Sequence, residues 1–187
     1  MYNYDIYNTG RRISASSEPI TQQDDSSYFP GKITDYGPDP FVVDITKSTL
    51  HNETYRTALW TGKYLQLTLM SIPVGEDVGL EIHPDNDQFF RVEDGQGLVQ
   101  MGDREDNLYY QQPAYDDNAI FIPAGTWHNI TNTGKKPLKL YSIYAPPHHP
   151  YGTIQQTKAI AEAEEAKEQN TTKEIDTMSK SDEFDEG

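Results

Sequence analysis

The amino-acid sequence predicts an all-β fold, an antiparallel sandwich or barrel, for the central part of the chain. Short apolar segments follow one another closely between residues 64 and 144, with turn residues between them and no helical periodicity. Apolar residues make up only 35% of the 187 residues, but they are concentrated between Phe41 and Pro147. That stretch is long enough to bury a core, so we expect one β domain with polar segments on either side.

The first segment, residues 1–40, is expected to be a flexible N-terminal arm. It is rich in Tyr, Asn, Ser and Asp, and Pro30, Pro38 and Pro40 interrupt any regular element. Its apolar residues are too few to form a core of their own. Partial disorder and packing along a neighbouring subunit therefore both stay open for this arm.

The β domain is expected to occupy residues 41–150. Leu65, Leu67 and Leu69 alternate with period two in residues 64–72, so they share one face of a strand. The dipeptide Asp94-Gly95 is a turn signal between two later strands, and the polar residues 102–107 are expected to form a hairpin loop. The other strands are expected at residues 80–83, 88–92, 98–101, 108–110, 119–122, 128–131 and 138–144.

A C-terminal helix is predicted in the segment 151–169, followed by an acidic disordered tail over residues 170–187. Residues 157–169 contain good helix formers and no breaker, enough for about three turns. From Ala161 to Gly187 there are ten acidic residues and three lysines. We expect these charged residues to bury little, so that the barrel folds without them.

The composition excludes several classes of protein. The chain has no cysteine, so disulfides and Cys-ligated zinc are excluded. A formal net charge of −15 repels phosphate backbones and argues against nucleic acid as a partner. No apolar run approaches the ~20 residues of a membrane helix, and the first residues lack the basic and apolar regions of a signal peptide. We therefore expect a cytoplasmic protein with no membrane partner.

Four residues in two segments form a metal-site pattern. Glu81 and His83 are two apart, so on a strand their side chains point to the same face. Gln88 and His128 can then complete a set of four nitrogen and oxygen donors. Two imidazoles, one carboxylate and one amide oxygen suit a divalent transition ion: Fe(II), Mn(II) or Zn(II), with Ni(II) also accepted. The alternative is a degenerate site that binds nothing.

The first of these segments resembles the first motif of the cupin superfamily, G-x5-H-x-H-x(3,4)-E-x6-G. Gly75, His83 and Gly95 match it at the right spacings. Glu81 stands where the first His is usual, and Gln88 stands where Glu is usual. This motif is therefore matched only in part.

The second segment resembles the second cupin motif, G-x5-P-x-G-x2-H-x3-N. Pro123, Gly125, His128 and Asn132 all match, and Asp117 replaces the opening Gly. We interpret Pro123 and Gly125 as turn residues that aim His128.

The resemblance covers roughly residues 41–158 and is closest to small bacterial single-domain cupins of the cupin_2 type, described as similar to mannose-6-phosphate isomerase. It implies a jelly-roll β-barrel of the RmlC-like type, a bound divalent metal and a small-molecule ligand. It also implies a homodimer, because N-terminal arms of cupins often lie along a second subunit. We see no internal repeat, so one cupin domain is expected.

Other residues that attract attention have ordinary interpretations. His148 and His149 follow the last strand among prolines and are interpreted as a solvent-facing loop. Arg91 lies on the opposite strand face from Gln88, where a surface ion pair is expected. Tyr141 and Tyr144 are interpreted as packing residues that can line the barrel mouth.

The function expected from the sequence is a metal-binding single-domain cupin that acts on or binds a small molecule. As an enzyme, it would use the ion as a Lewis acid on a sugar-like or oxo-acid substrate, and isomerisation or epimerisation is the first reaction class to test. The alternatives are an Fe(II)-dependent oxygenase and a non-catalytic ligand-binding or structural cupin. No catalytic residue is assigned; Tyr141, and His149 if its loop folds over the mouth, are the inward candidates for a general base.

Overall fold

Two antiparallel β-sheets face each other in the computed structural model, which describes residues 32–167. The larger sheet has the strand order β6-β3-β8-β2-β1-β9, and the smaller sheet has the order β5-β4-β7. This architecture confirms the all-β jelly-roll prediction. The elements are α1 (Ile45–His51), β1 (Arg56–Thr61), β2 (Gln66–Ile72), β3 (Asp87–Asp94), β4 (Gln96–Gly102), β5 (Tyr110–Tyr115), β6 (Ala119–Ile122), β7 (Trp127–Asn132), β8 (Leu138–Ala145), β9 (Ile154–Gln155) and α2 (residues 158–167).

The strand register divides the barrel interior into an apolar end and a polar end. Directly opposite residues of antiparallel strands share a face of the sheet, so each level of the interior is a row across β3, β8 and β2. The three rows, all buried, are Val92, Leu140 and Met70; then Phe90, Ser142 and Thr68; then Gln88, Tyr144 and Gln66. Hydroxyl and amide groups therefore gather at one end, above an apolar core.

The leucines of β2 lie on the outer face of the sheet. Period two is present as predicted, but the alternate residues of this strand fill the barrel. Leu65 is 39% exposed, Leu67 is half-buried, and only Leu69 is fully buried. The helix α1 packs beside them, against β2, β3 and β8, and Lys139 of β8 donates a hydrogen bond to the carbonyl of Asn52 at the end of that helix. An apolar period-two pattern alone does not distinguish the two faces of a sheet that is covered on both sides.

The sequence analysis missed the helix α1. Its start carries one local signal: the side chain of Asp44 accepts a hydrogen bond from the N–H of Lys47 at 2.9 Å, as an N-cap. The helix has only seven residues, several of them β-branched or hydroxylated, and such residues have low helix propensity. Its stability therefore comes from packing against the sheet, which no local pattern reveals.

The strand predicted at residues 80–83 is not a regular strand. Glu81 forms a single antiparallel bridge with His128, and Asp77 forms another with Thr131. Between the two bridges, Gly79 has a φ of +92°, a conformation that interrupts a strand. The segment is therefore held by isolated bridges beside β7.

The C-terminal segment packs more closely on the barrel than the sequence indicates. The predicted segment 151–169 begins with a turn and β9, and the helix starts at residue 158. Ala161 is only 2% exposed and belongs to the hydrophobic core, while Lys158 pairs with Asp77. The expectation that residues from 161 onward bury little therefore fails at Ala161, whereas residues 162–167 are exposed apart from the half-buried Glu165.

The flanking predictions are only partly within the described residues. The arm over residues 1–31 and the tail from residue 168 lie outside them. Within residues 32–40, Asp35 is buried and accepts hydrogen bonds from the N–H of Gly37 and the hydroxyl of Thr61, and Tyr36 stacks on Phe41. This end of the predicted arm contacts the barrel. None of the helices described is long and apolar enough to cross a membrane.

Candidate metal centre

Three predicted ligands, Glu81, His83 and His128, meet at the polar end of the barrel. Oε1 of Glu81 lies 3.3 Å from Nε2 of His83 and 3.2 Å from Nε2 of His128. One ligand atom from each residue lies within 4.8 Å of the others. His128 is completely buried and His83 is 4% exposed, so the cluster is shielded from bulk water.

The backbone links the two motifs at this point. The N–H groups of Glu81 and His128 donate to each other's carbonyl oxygens at 3.0 Å. The N–H of Gly125 donates to the carbonyl of His83 at 2.9 Å. Gly125 has a φ of +74°, which glycine adopts without steric cost. The turn that contains Pro123 and Gly125 therefore connects His83 to the strand that carries His128.

The hydrogen bond of His128 to its own turn determines which nitrogen faces Glu81. Nδ1 of His128 lies 2.9 Å from the carbonyl oxygen of Thr126, which can only accept, so Nδ1 carries a hydrogen. In the neutral ring Nε2 then has a lone pair, and it faces a carboxylate oxygen 3.2 Å away. Two acceptors at this distance require a proton or a cation to bridge them.

The environment keeps Glu81 ionised. Burial acts to raise the pKa of Glu81, but the contacts with His128 and His83 and the positive charge of Arg56 outweigh it and hold the pKa well below its usual range. The ring of His83 is differently placed: its buried Nδ1 has no hydrogen-bond partner among the described residues, and its Nε2 approaches Oε1 of Glu81 only at 3.3 Å. Buried polar groups without partners are rare, and a coordinated ion would satisfy this one.

Gln88 lies beside the cluster on β3 and offers its amide oxygen. Nε2 of Gln88 donates to Oγ of Ser142 at 3.1 Å. Oε1 is buried and has no hydrogen-bond partner in the described part of the chain. The bond to Ser142 therefore orients the amide and leaves the oxygen available, and the three clustered donors fit a divalent ion.

The loop after β8 folds over the mouth of the barrel. Nε2 of Gln66 donates to the carbonyl of His149 at 2.8 Å, and Oε1 accepts from the N–H of the same residue at 2.9 Å. His149 is half-buried against Tyr144, and its Nε2 is buried without a partner among the described residues. The prediction of a solvent-facing loop is therefore wrong for His149.

His148 is exposed at the rim, but its ring also reaches the cluster. Its centroid lies 4.1 Å from that of His83 and 5.5 Å from that of Tyr144. Burial and the nearby charge of His83 lower the pKa of His148 to about 4. Burial and the charge of Arg56 lower the pKa of His149 to about 2. Both imidazoles are therefore neutral at physiological pH.

Two tyrosines of β8 point in opposite directions. Tyr144 is completely buried inside the barrel, and burial strongly raises the pKa of its hydroxyl. Tyr141 pairs with Leu69 and Arg91, and its ring lies 6.1 Å from that of Phe89 on the outer face. Tyr141 is therefore not an inward base, and the expectation that it lines the site is wrong.

Arg91 forms ion pairs at the surface, as predicted. It pairs with Asp117 at 2.6 Å and with Glu93 at 3.0 Å. Asp117, which replaces the opening glycine of the second motif, has a φ of +66°. Asp is one of the few residues that tolerate this left-handed conformation, which explains how it can occupy a glycine position.

Sequence reasoning missed Arg56, which is 1% exposed at the start of β1. Its Nη1 donates to Oε1 of Gln155 at 2.9 Å and to Oε1 of Glu165 at 3.2 Å. Its Cζ lies 5.3 Å from the ring centroid of Tyr55. The sequence did contain a signal, a charged residue at the first position of an apolar strand. A charge in a strand that is buried on both faces needs a partner, because an unpaired buried charge is strongly destabilising.

Comparison with known proteins agrees with this architecture. A family model described as a cupin domain matches residues 68–144. Protein YrkC of Bacillus subtilis (strain 168) is 62% identical over 133 residues, which are 71% of this chain and 72% of YrkC. A protein of Acanthamoeba polyphaga mimivirus is 43% identical over 115 residues, 61% of this chain and 70% of that protein.

A solved structure is also similar. The crystal structure of BH2720 from Bacillus halodurans is 67% identical to this chain, with a TM-score of 0.70. The match covers 70% of this chain and 99% of that one. With its two-sheet barrel, its paired motifs and relatives at this level of identity, the chain belongs to the cupin family.

Proposed function

We propose that this cupin binds one divalent transition-metal ion through Glu81, His83 and His128, with the amide oxygen of Gln88 as a fourth donor, and that the site acts on a small molecule. The observation that carries the proposal is the convergence of Nε2 of His83 and Nε2 of His128 on Oε1 of Glu81, at 3.3 Å and 3.2 Å. The amide oxygen of Gln88, which is buried without a hydrogen-bond partner among the described residues, supports it. Fe(II), Mn(II) and Zn(II) suit this donor set, and Ni(II) is accepted by the same groups.

A bound ion supplies Lewis acidity toward a carbonyl or hydroxyl oxygen of the substrate. The protein residues supply orientation and shielding. Thr126 holds the ring of His128, Ser142 holds the amide of Gln88, and the loop at residues 146–150 covers the mouth. His148 and His149 are neutral imidazoles at that mouth, so they are the residues to test as proton acceptors.

Isomerisation or epimerisation of a sugar-like or oxo-acid substrate is the reaction class that we propose first. An Fe(II)-dependent oxygenase is the second candidate, because two histidines and one carboxylate are the donor set of many non-haem Fe(II) oxygenases. A ligand-binding protein without catalysis is the third. It is favoured by the outward position of Tyr141, which leaves His148 and His149 as the candidate bases in the described part of the chain.

Metal content of purified full-length protein tests the proposal. Wild-type protein is expected to hold about one transition ion per chain, and the double variant His83→Ala, His128→Ala is expected to hold none. His51→Ala is the matched control, because His51 lies on α1 and contacts the carbonyl of Lys47. Undiminished metal in the double variant would overturn the ligand assignment.

Assays of the metal-loaded protein then separate the reaction classes. Mannose 6-phosphate and fructose 6-phosphate test isomerisation, and diketones and thiols with Fe(II) and oxygen test oxygenation. Turnover that is lost in the double variant and kept in His51→Ala would assign the class. A metal-loaded protein that is inactive in both assays, but purifies with a tightly bound small molecule, would favour the binding protein.

A further inference from the structure

Several buried polar atoms have no close hydrogen-bond partner among the described residues. Apart from those of the proposed ligands, they include Nε of Arg56, Oγ1 of Thr68, Nε2 of His149 and the hydroxyl of Tyr144, which interacts only loosely with Ser142. The ring of Tyr144 lies 5.6 Å from that of His83. Arg56, Thr68 and Tyr144 belong to the neighbouring strands β1, β2 and β8. Buried polar groups are almost always bound by protein, water or ligand, so a polar species is expected beside them.

The register places these groups on one wall of the barrel. Arg56 is opposite Met70, which is opposite Leu140, and all three are buried. Thr68 and Tyr144 lie on the same inward face, toward the polar end. The side chain of Arg56 therefore starts at the apolar level of the interior, on the same inward face as Thr68 and Tyr144.

Arg56 brings a buried positive charge to this wall of the barrel. Among the buried residues that the structure describes, Arg56 is the only arginine or lysine. Its carboxylate partner, Glu165, is 45% exposed, so that ion pair is partly solvated and weakened.

The unpartnered groups are mainly hydrogen-bond donors. Arg56 Nε–H can only donate, and the hydroxyls of Thr68 and Tyr144 can each donate one hydrogen. A divalent ion held by the single carboxylate of Glu81 would leave further positive charge in the same interior. An oxyanion would satisfy both the donors and the charge.

We propose that Arg56, Thr68 and Tyr144 form a carboxylate-binding subsite, so that the substrate or ligand is a small hydroxy or oxo acid. This inference rests on the proposed function and names the substrate class of that same site. A carboxylate oxygen accepts a charge-assisted hydrogen bond from a guanidinium N–H, and one buried arginine suits a monoanion. Both hydrogen bonds of Arg56 described above start at Nη1, so its buried Nε–H, which has no partner among the described residues, can donate to this ligand.

Calorimetric titration of the zinc-loaded full-length protein tests the subsite. Glycolate and pyruvate are the probes, and glycolamide and pyruvamide are their neutral counterparts of nearly equal size. The carboxylates are expected to bind at least about ten-fold more tightly than the amides. Arg56→Gln should remove at least about ten-fold of the carboxylate affinity and leave the affinity for the amides unchanged. Because both proteins hold the same ion, this comparison isolates the guanidinium.

The matched control is Arg91→Gln, which removes an arginine of the outer face that pairs with Asp117 and Glu93. It is expected to keep the wild-type preference for carboxylates. Should Arg56→Gln fail to fold, Arg56→Lys keeps the charge, and the Nε–H resonance of Arg56 in wild-type protein is expected to shift when glycolate is added. Unchanged carboxylate affinity in Arg56→Gln, or an unmoved resonance on binding, would overturn the subsite.

Two further outcomes separate this inference from the proposed function. Phosphate that binds more tightly than glycolate, and loses that affinity in Arg56→Gln, would overturn the carboxylate assignment. Metal content is measured independently on each sample. Normal zinc with no role for Arg56 contradicts the subsite alone, whereas carboxylate binding at Arg56 without any bound metal contradicts the metal proposal alone.

Discussion

Gln66 holds His149 at the barrel mouth with both ends of its side-chain amide. Nε2 donates to the carbonyl of His149 at 2.8 Å, and Oε1 accepts from its N–H at 2.9 Å. Gln66 is completely buried, and the two residues are 83 positions apart in the chain. A buried strand residue thus holds the loop that covers the candidate metal centre.

Gln66→Leu is expected to release this loop. The substitution keeps the size of the side chain but leaves the N–H and the carbonyl of His149 without partners, which costs about 2 kcal/mol. Urea unfolding measures the loss of stability, and hydrogen exchange of residues 146–150 measures the release. Gln112→Leu on the exposed strand β5 is the control. Unchanged exchange in the loop would show that the prolines alone hold it.

Substitutions at Gln88 test its role as a metal donor. Gln88→Glu adds a negative donor and is expected to raise zinc affinity by about ten-fold, whereas Gln88→Leu should lower it by a similar factor. Without metal, the new carboxylate would lie near Glu81, so the metal-free Gln88→Glu protein should be less stable than wild type. Chelator competition measures affinity, and thermal melts with and without zinc measure stability. Equal affinities in all three proteins would remove Gln88 from the ligand set.

The pairing of Asp77 with Lys158 should make stability depend on pH. Burial acts to raise the pKa of Asp77, but the hydrogen bonds from Lys158 and from the N–H of Gly79 outweigh it, and the pKa is lowered. A carboxylate with a lowered pKa stabilises the fold above its unfolded pKa, near 4, and loses that contribution as pH falls through the folded pKa. The effect is therefore present at pH 7 and lost at strongly acidic pH.

Asp77→Asn measures that contribution. The substitution is expected to lower the free energy of unfolding by about 0.5–1 kcal/mol at pH 7, a modest effect because the pair is partly exposed. The loss should be smaller at pH 3, where Asp77 of the wild type is closer to protonation. Urea unfolding of metal-free protein at both values avoids the effect of metal release. Asp106→Asn is the control, since Asp106 pairs with Arg104 in an exposed loop. A cost for Asp77→Asn that is the same at both pH values would contradict the sign of the shift.

Truncations test the contribution of α2. Deleting residues from 161 onward removes Ala161 from the core and leaves Arg56 buried without Glu165. Because Glu165 is half exposed, loss of this ion pair costs about 1 kcal/mol, and the lost burial of Ala161 adds about 1 kcal/mol, so the melting temperature should fall by about 5 °C or more. Deletion from residue 170 onward is expected to shift it by less than about 3 °C. A small shift in the longer deletion would show that the barrel closes without the helix.

The sequence by itself determined the kind of fold and the identity of the donors. Short period-two segments separated by turn residues describe strands through local geometry alone, so β3, β4, β6, β7 and β8 were predicted close to their observed bounds. The resemblance to the two cupin motifs selected Glu81, His83, Gln88 and His128 as candidate donors, and the structure brings Glu81, His83 and His128 together. The assignment of these four residues to a metal stays a prediction.

Only the tertiary structure decided which groups surround those donors. Tyr144 reaches the site from β8, Arg56 is buried at the start of β1, and His149 is held over the mouth by Gln66 across 83 positions of sequence. The leucines of β2 lie outside the barrel, and Tyr141 turns outward, because the inward face of a doubly covered sheet is chosen by packing. Contacts between distant segments form only when the whole fold packs, so no local sequence pattern predicts them.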